Sequence, residues 1–353
     1  MKKTTDRFLI YGAYGYTGKL ILELCKKQGI KPVIAGRNED KLAILKKEYG
    51  FEYIAFSLDN VEKSAEILTP FKAVLHCAGP FMFTAEPMLK ACLLSKTHYL
   101  DITGEISVFE MAAAMDKQFK ENGICAIPGV GFDVVPSDCQ AAFVAKQLPD
   151  ATHLNLYIYS KGGVSRGTSL TMVENIDKGG AIRKDGRIKV VRAAYKSLEV
   201  TFGDKKKKCV TIPWGDVSTA FHSTGIPNIE VYMSLPASAM KMLSIKKRFG
   251  FIFKLGFVKN FMRRKVMEGK AGPSEKSREK SEVNIIAEAI NASGKSVRSY
   301  LNGPDGYNLT AMTALESVIR VTNDNPKPGF YTPSTLFGAD YILEFDGIVR
   351  KEI

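Results

Sequence analysis

FLIYGAYGYTGKLILELCKKQG, residues 8–29, is the stretch on which the reading of the whole chain turns. Phe8 to Tyr11 is a short apolar run, glycines follow at 12, 15 and 18, and Thr17 to Lys27 then carries Leu20, Ile21 and Leu24 at helical spacing until Gly29 ends it. A second apolar run, Pro32 to Ala35, completes a predicted βαβ unit. Glycines at this spacing between strand and helix give a tight turn, close approach of backbone to a diphosphate, and close packing of helix on strand. The helix N-terminus adds N–H donors and a positive dipole. The loop Gly12-Ala13-Tyr14-Gly15-Tyr16-Thr17-Gly18 therefore predicts a dinucleotide site, with the Thr17 hydroxyl as a further donor and Tyr14 and Tyr16 lining the same loop.

The end of the second strand selects the nucleotide. An NAD site usually places Asp or Glu there for the ribose hydroxyls, whereas this chain reads Ala35-Gly36-Arg37-Asn38. Arg37 can pair with a 2′-phosphate, Asn38 stands beside it, and Lys41 adds charge one turn later, so NADP(H) is expected. The alternative is an ordinary surface arginine.

Strand patterns recur at Tyr53 to Phe56, Ala73 to Cys77, Tyr99 to Ile102 and Ile124 to Ile127, separated by helical stretches such as Ala85 to Leu94 and Val108 to Lys120. Such alternation predicts a doubly wound parallel sheet of Rossmann type. After about residue 150 strands dominate (Leu154 to Tyr159, Arg187 to Ala193, Ser197 to Phe202, Cys209 to Pro213, Ile229 to Met233), and a second α+β domain on a mixed sheet is expected. Lys205 to Lys208 reads as a solvated hairpin turn.

The 353 residues, 45% hydrophobic and 25% charged, exclude a disordered chain or a disulfide miniprotein and are enough for two domains. The net charge of +13 is local: residues 1–150 balance 18 Lys/Arg with 18 Asp/Glu, while residues 241–280 hold 13 basic against 3 acidic residues. Six cysteines without a Cys-x-x-Cys pair predict reduced thiols. No signal peptide or membrane span is apparent, so a cytoplasmic protein is expected, with a peripheral membrane contact as an addition argued below.

Several strings, YGAYGYTG (11–18), AGRN (35–38), CAGPF (77–81), YLDITGE (99–105), GFDVVPSD (131–138), SRGTS (165–169), STGIPNIEVY (223–232), GPDGYNLTA (303–311) and GFYTPSTLFGADYI (329–342), together resemble the saccharopine dehydrogenase-like oxidoreductases, including trans-acting enoyl reductases. The resemblance spans nearly the whole chain. It implies an NADP-binding Rossmann domain, a second α/β domain and, often, a homodimer. It further suggests a division into residues 1–140, an inserted domain at 141–304, and a segment 305–353 that returns to the first domain, where the apolar stripe of Ala311 to Thr322 would be covered.

Ligands of open α/β sheets lie beyond the carboxyl ends of the strands, so three loops are candidates. Ala78-Gly79-Pro80 would let backbone run beside the cofactor, or is simply a tight turn. Asp101 and Glu105 place two carboxyl groups near the expected nicotinamide, to hold a substrate or relay a proton; alternatively Thr103 or Glu105 caps the helix starting near Val108. Asp133, in the loop from Gly129 to Asp138, is the third candidate. Ser165-Arg166-Gly167-Thr168 precedes Thr171 to Glu174, a capping-box pattern that predicts a helix start. The four histidines have no metal-ligand spacing and no metal is expected.

Residues 245–265, IKKRFGFIFKLGFVKNFMRRK, repeat phenylalanine at 249, 253, 257 and 261 among cations. This composition suits an anionic membrane interface; a dimer contact or core segment is the alternative, and nucleic acid is not expected. Together these features point to an NADP(H)-dependent oxidoreductase reducing a C=C or C=O bond of a small hydrophobic or lipid-like substrate. The alternatives are a non-catalytic NADP-binding scaffold or redox sensor, and a saccharopine-type amino-acid dehydrogenase.

Overall fold

The apolar runs of the first part become strands buried on both faces, which is what a parallel sheet covered by helices requires. In the computed structural model, which describes residues 7–236, 239–240 and 255–353, β1 (Phe8–Tyr11), β2 (Val33–Gly36), β4 (Ala73–His76) and β5 (His98–Asp101) are buried throughout. The shorter β3 (Tyr53–Ala55) and β6 (Cys125–Ile127) complete the alternation with α1 (Tyr16–Gln28), α2 (Glu39–Tyr49), α3 (Val61–Leu68), α4 (Phe81–Ser95), α5 (Ile106–Ala114) and α6 (Asp116–Asn122). The stretch Val108 to Lys120, expected as one helix, is thus two, divided at Met115.

The chain divides into two compact units, residues 1–135 with 307–336, and 136–306 with 337–353. In the first, the strand order is β15-β6-β5-β4-β1-β2-β3, all parallel. The order reverses between β1 and β4, which makes the loops after those two strands neighbours at the carboxyl edge. The edge strand β15 (Gly329–Phe330) and helix α12 (Gly306–Asp324) come from the late segment, and α12 buries the stripe Leu309, Ala314, Leu315, Val318 and Ile319.

The second unit is built on a mixed sheet. β7 (Ala151–Lys161) pairs in parallel with β12 (Asn228–Ser234) and antiparallel with β13 (Glu282–Asn291), which continues into β14 (Ser296–Pro304) and β16 (Val349–Glu352). On the other side β12 pairs with β11 (Lys205–Thr211), and β11 with β10 (Ser197–Phe202); β8 (Gly180–Lys184) and β9 (Arg187–Val191) form a hairpin beside β12. The helices are α7 (Val135–Gln147), α8 (Arg166–Glu174), α9 (Asp216–Thr224), α10 (Gly256–Glu268) and α11 (Glu275–Glu279); α13 (Pro333–Phe337) is the last element of the first unit before the chain passes to the second.

Three expectations are corrected here. Residues 337–353 do not follow 307–336 into the first unit, because β16 takes the open edge of β14. Lys205 to Lys208 is strand, not turn: the hairpin turns at Gly203-Asp204, Lys206 pairs with Glu199 at 2.7 Å, Lys205 with Glu282, and Lys207 stacks on Tyr159. The helix near Ser165 starts at Arg166, with the Ser165 hydroxyl accepting the Thr168 amide, so Glu174 ends that helix instead of opening one. Of the phenylalanine-rich stretch, residues 245–254 lie outside the described residues.

Candidate functional site

The glycine loop is shaped by contacts a side chain would break. Gly12 has φ +83°, and a Cβ there would stand 2.8 Å from Ala78 Cβ and Ala78 N; at Gly18 it would stand 2.7 Å from the carbonyl oxygens of Gly12 and Ala13. The first of these contacts shows that the loops after β1 and β4 touch, bringing Ala78, Gly79 and Pro80 beside the glycine turn. The Gly12 amide donates to Ala35 O at 2.8 Å, tying the turn to the end of β2.

Helix α1 begins at Tyr16 with Gly15 as its N-cap, no side-chain cap, and no acidic residue in its first turn. By contrast α2 and α3 are capped by Asn38 and Asn60. An uncapped helix start over a glycine cradle is an anion site, and the residues present fit a dinucleotide diphosphate.

Arg37 is exposed at the end of β2, and Lys41 Nζ lies 5.4 Å from the centre of the Tyr14 ring, which covers Gly36. The Asn38 side chain spends its carbonyl on the Lys41 amide, so its first task is capping. Tyr16 meets Tyr307 edge-on, ring centres 5.0 Å apart. Tyr307, from the start of α12, is a neighbour of the cradle that spacing arguments missed; it lies in the GPDGYNLTA string, nearly 300 residues away in sequence.

The three candidate carboxyl groups lie at this edge, Asp101 as the last residue of β5 and Glu105 and Asp133 in the loops after β5 and β6, yet their surroundings differ. Asp101 is fully buried and accepts from the Thr103 amide (2.9 Å), the Gly129 amide (2.8 Å) and the Tyr99 hydroxyl (2.5 Å). Burial pushes it up to about 6 while those three donors oppose the shift. It fastens the loop after β5 to the loop after β6. Glu105 is the N-cap residue of α5, but its carboxylate reaches elsewhere: Oε1 and Oε2 accept the Phe81 and Met82 amides at 2.9 Å each, capping α4. Both readings of the loop thus meet in a side chain that caps a helix other than its own.

Asp133 is different. It is part-exposed, its Oδ2 lies over Gly104 where an added Cβ would be 2.6 Å away, and burial followed by the charge of Glu105 pushes its carboxyl up to about 6. Its loop is held from α12: the Thr310 hydroxyl oxygen accepts the Phe132 amide at 3.0 Å, and the Thr313 hydroxyl donates to Val130 O at 2.8 Å. These two threonines are supports that only the fold reveals.

His76 is buried at the end of β4, and burial lowers it to about 3, so it is neutral. Its Nε2 lies 3.0 Å from the Thr84 hydroxyl, which donates to Ala78 O and so steadies the cofactor loop. The cysteines are unpaired thiols, with Cys77 raised by burial. Among the described residues no His/Cys/Asp/Glu cluster could hold a metal, and no helix is long and apolar enough to cross a membrane.

Residues 8–127 match the family model of the saccharopine dehydrogenase NADP binding domain. A saccharopine dehydrogenase-like oxidoreductase of Mus musculus is 30% identical over 162 residues, 40% of this chain and 37% of the relative. A lipid droplet localized protein of Caenorhabditis elegans is 28% identical, covering 53% of this chain and 50% of the relative. A candidate trans-acting enoyl reductase of Mycobacterium tuberculosis is also 28% identical, covering 47% and 43%. The matched stretches thus span half or less of these relatives. The fold matches apo saccharopine dehydrogenase (L-Glu forming) of Saccharomyces cerevisiae with a TM-score of 0.65 over 99% of this chain and 100% of that one, at 13% identity.

Proposed function

We propose, for a chain whose residues 8–127 match the family model of the saccharopine dehydrogenase NADP binding domain, an NADP(H)-dependent oxidoreductase that reduces a C=C or C=O bond of a hydrophobic or lipid-like acceptor. The observation that carries this reading is one carboxyl group, Asp133, left part-exposed at the sheet edge that also holds the dinucleotide cradle. Bound NADPH supplies the hydride. The chain's own contribution is to hold the diphosphate at α1, answer a 2′-phosphate with Arg37 and Lys41, and offer a proton from Asp133, whose raised affinity for it suits a donor near neutral pH. Asp101 and Glu105 keep the surrounding loops in place.

An apolar acceptor is favoured over an amino dicarboxylate because the loops around the candidate carboxyl groups, residues 102–105 and 128–134, contain no lysine or arginine to pair with a second anion. The names carried by the mycobacterial and nematode relatives point the same way. A second reading, a non-catalytic NADP-binding scaffold or redox sensor, is favoured by the engagement of both Asp101 and Glu105 with backbone amides.

Single-turnover oxidation of bound NADPH distinguishes these readings. Oxidation by long-chain enoyl thioesters or ketones, lost in Asp133→Asn, is the expected result. Oxidation only by a 2-oxo acid together with an amino acid would establish saccharopine-type chemistry, and tight NADPH binding with no oxidation by any acceptor would establish the non-catalytic reading.

A further inference from the structure

Helix α10, the described part of the basic aromatic stretch, turns two of its cations inward and its two phenylalanines outward. Surface helices ordinarily bury an apolar stripe and expose their charges. Here the charged stripe faces the protein. Lys259 Nζ donates to Asp177 Oδ1 at 2.7 Å and to Glu174 O at 3.3 Å, and Arg263 grips the Glu174 carboxylate with Nε and Nη2 at 2.6 and 2.7 Å. Arg166 of the neighbouring α8 returns a bond to Gly269 O at 2.6 Å, just past the end of α10. No residue of the helix is fully buried; these ion pairs and the half-buried Val258, Met262 and Val266 beside them make up its inner side.

At about 100° per residue, Phe257 and Phe261 stand about 200° around the axis from Lys259 and Arg263. They point outward accordingly: Phe257 is 72% exposed and Phe261 51%. Leu255 and Met267 are exposed as well, but at the two ends of the helix and off the phenylalanine side. Arg264 shares the outward side, its guanidinium 5.8 Å from the Phe261 ring centre. Lys265 flanks it, and Glu268, the one acid on the helix, is paired with Lys265 at 2.9 Å. Lys270 follows. Two bulky rings exposed one turn apart and flanked by cations are not a resting surface in water.

We propose that this face of α10 docks on an anionic lipid surface, with Phe257 and Phe261 entering the headgroup boundary and Arg264, Lys265 and Lys270 meeting the lipid charge. With Lys259 and Arg263 paired inward, the outward side still carries Arg264, Lys265 and Lys270 against Glu268 alone, which complements anionic headgroups. The same charge disfavours a second copy of the chain as the occupant, because a two-fold contact through this face sets Arg264 and Lys265 against their own counterparts. The inference is independent of what the NADP site reduces.

The test is co-sedimentation of the full chain with vesicles of phosphatidylcholine, with and without phosphatidylserine. The wild type should bind the serine-containing vesicles and release them as salt rises. Phe257→Ser/Phe261→Ser should lower the partition coefficient at least about tenfold, and Arg264→Gln about fivefold. Because these side chains are exposed, the thermal melt and NADPH affinity of each variant should match the wild type. Equal binding to both vesicle types, no binding to either, or equal binding by wild type and the phenylalanine variant overturns the proposal. So does a phenylalanine variant that changes only the sedimenting mass of the protein, which would assign the face to a second copy.

Discussion

The carboxylate of Glu105 accepts the amide of Phe81 at 2.9 Å across 24 residues of chain, so the loop after β5 terminates the helix that follows β4. Its other oxygen takes the Met82 amide, and with only 9% of the residue exposed the pair of bonds is charge-assisted and shielded. The consequence is positional: Ala78 to Pro80, which would border the cofactor, are held from behind by a residue that need not touch it. Glu105→Ala should therefore cost about 2–4 kcal/mol in urea unfolding and weaken NADPH binding about fivefold, with Glu105→Gln recovering part of both. An alanine variant as stable and as tight-binding as the wild type would show that the cap holds nothing.

Gly12→Ala probes the same junction from the other side. Its methyl would stand 2.8 Å from Ala78 Cβ at a φ of +83°, so the loop after β1 or the one after β4 must give way. A loss of about 1–3 kcal/mol in thermal or chemical unfolding is expected. NADPH titration should show at least a tenfold loss, because the cradle and its neighbour move together.

Arg37 stands exposed just past the end of β2, where a 2′-phosphate would be met. Fluorescence titration of Arg37→Ala should show a Kd for NADPH raised at least about tenfold and a Kd for NADH changed less than about twofold. Equal weakening of both would place Arg37 outside the 2′-phosphate site.

Much of the first unit is legible because its central strands are short, largely apolar runs ended by turn residues, as in Phe8–Tyr11 before Gly12 and Val33–Gly36 before Arg37-Asn38. The second unit resists the same reading. The strand Lys205–Thr211 opens with four lysines, and what makes them strand is their partners: Glu199 on the adjoining hairpin strand, and Glu282 and the Tyr159 ring, which lie far off in sequence. Glu282–Asn291 and Ser296–Pro304, joined by a short turn, are also unmarked by any clean alternation. At the candidate site, position can be read and role cannot. Asp101, Glu105 and Asp133 are recognisable as carboxyl groups after strands, but the amides of Gly129, Phe81 and Met82 that occupy the first two come from other loops.

That difference yields the sharpest prediction. Asp133 is raised from the ordinary aspartate value to about 6, first by burial and then by the charge of Glu105. If it gives the proton in NADPH-dependent reduction, the rate should fall as pH rises through about 6, and that limb should vanish in Asp133→Asn. Stability carries the same sign. A carboxyl whose folded-state affinity for the proton exceeds its unfolded one contributes stability that is complete below about pH 4 and lost as pH rises through about 6. At pH 7 the wild type therefore bears the cost of an ionised, crowded carboxylate, and Asp133→Asn should unfold about 1–2 kcal/mol later in urea. The gain should shrink toward zero near pH 4, where the wild-type group is itself neutral. Asp101 shares the raised value but serves as control: it accepts three hydrogen bonds, so Asp101→Asn should lose stability at pH 7 where Asp133→Asn gains it. Loss of stability in both variants would mean that Asp133 is a fastener like Asp101 and the proton comes from elsewhere.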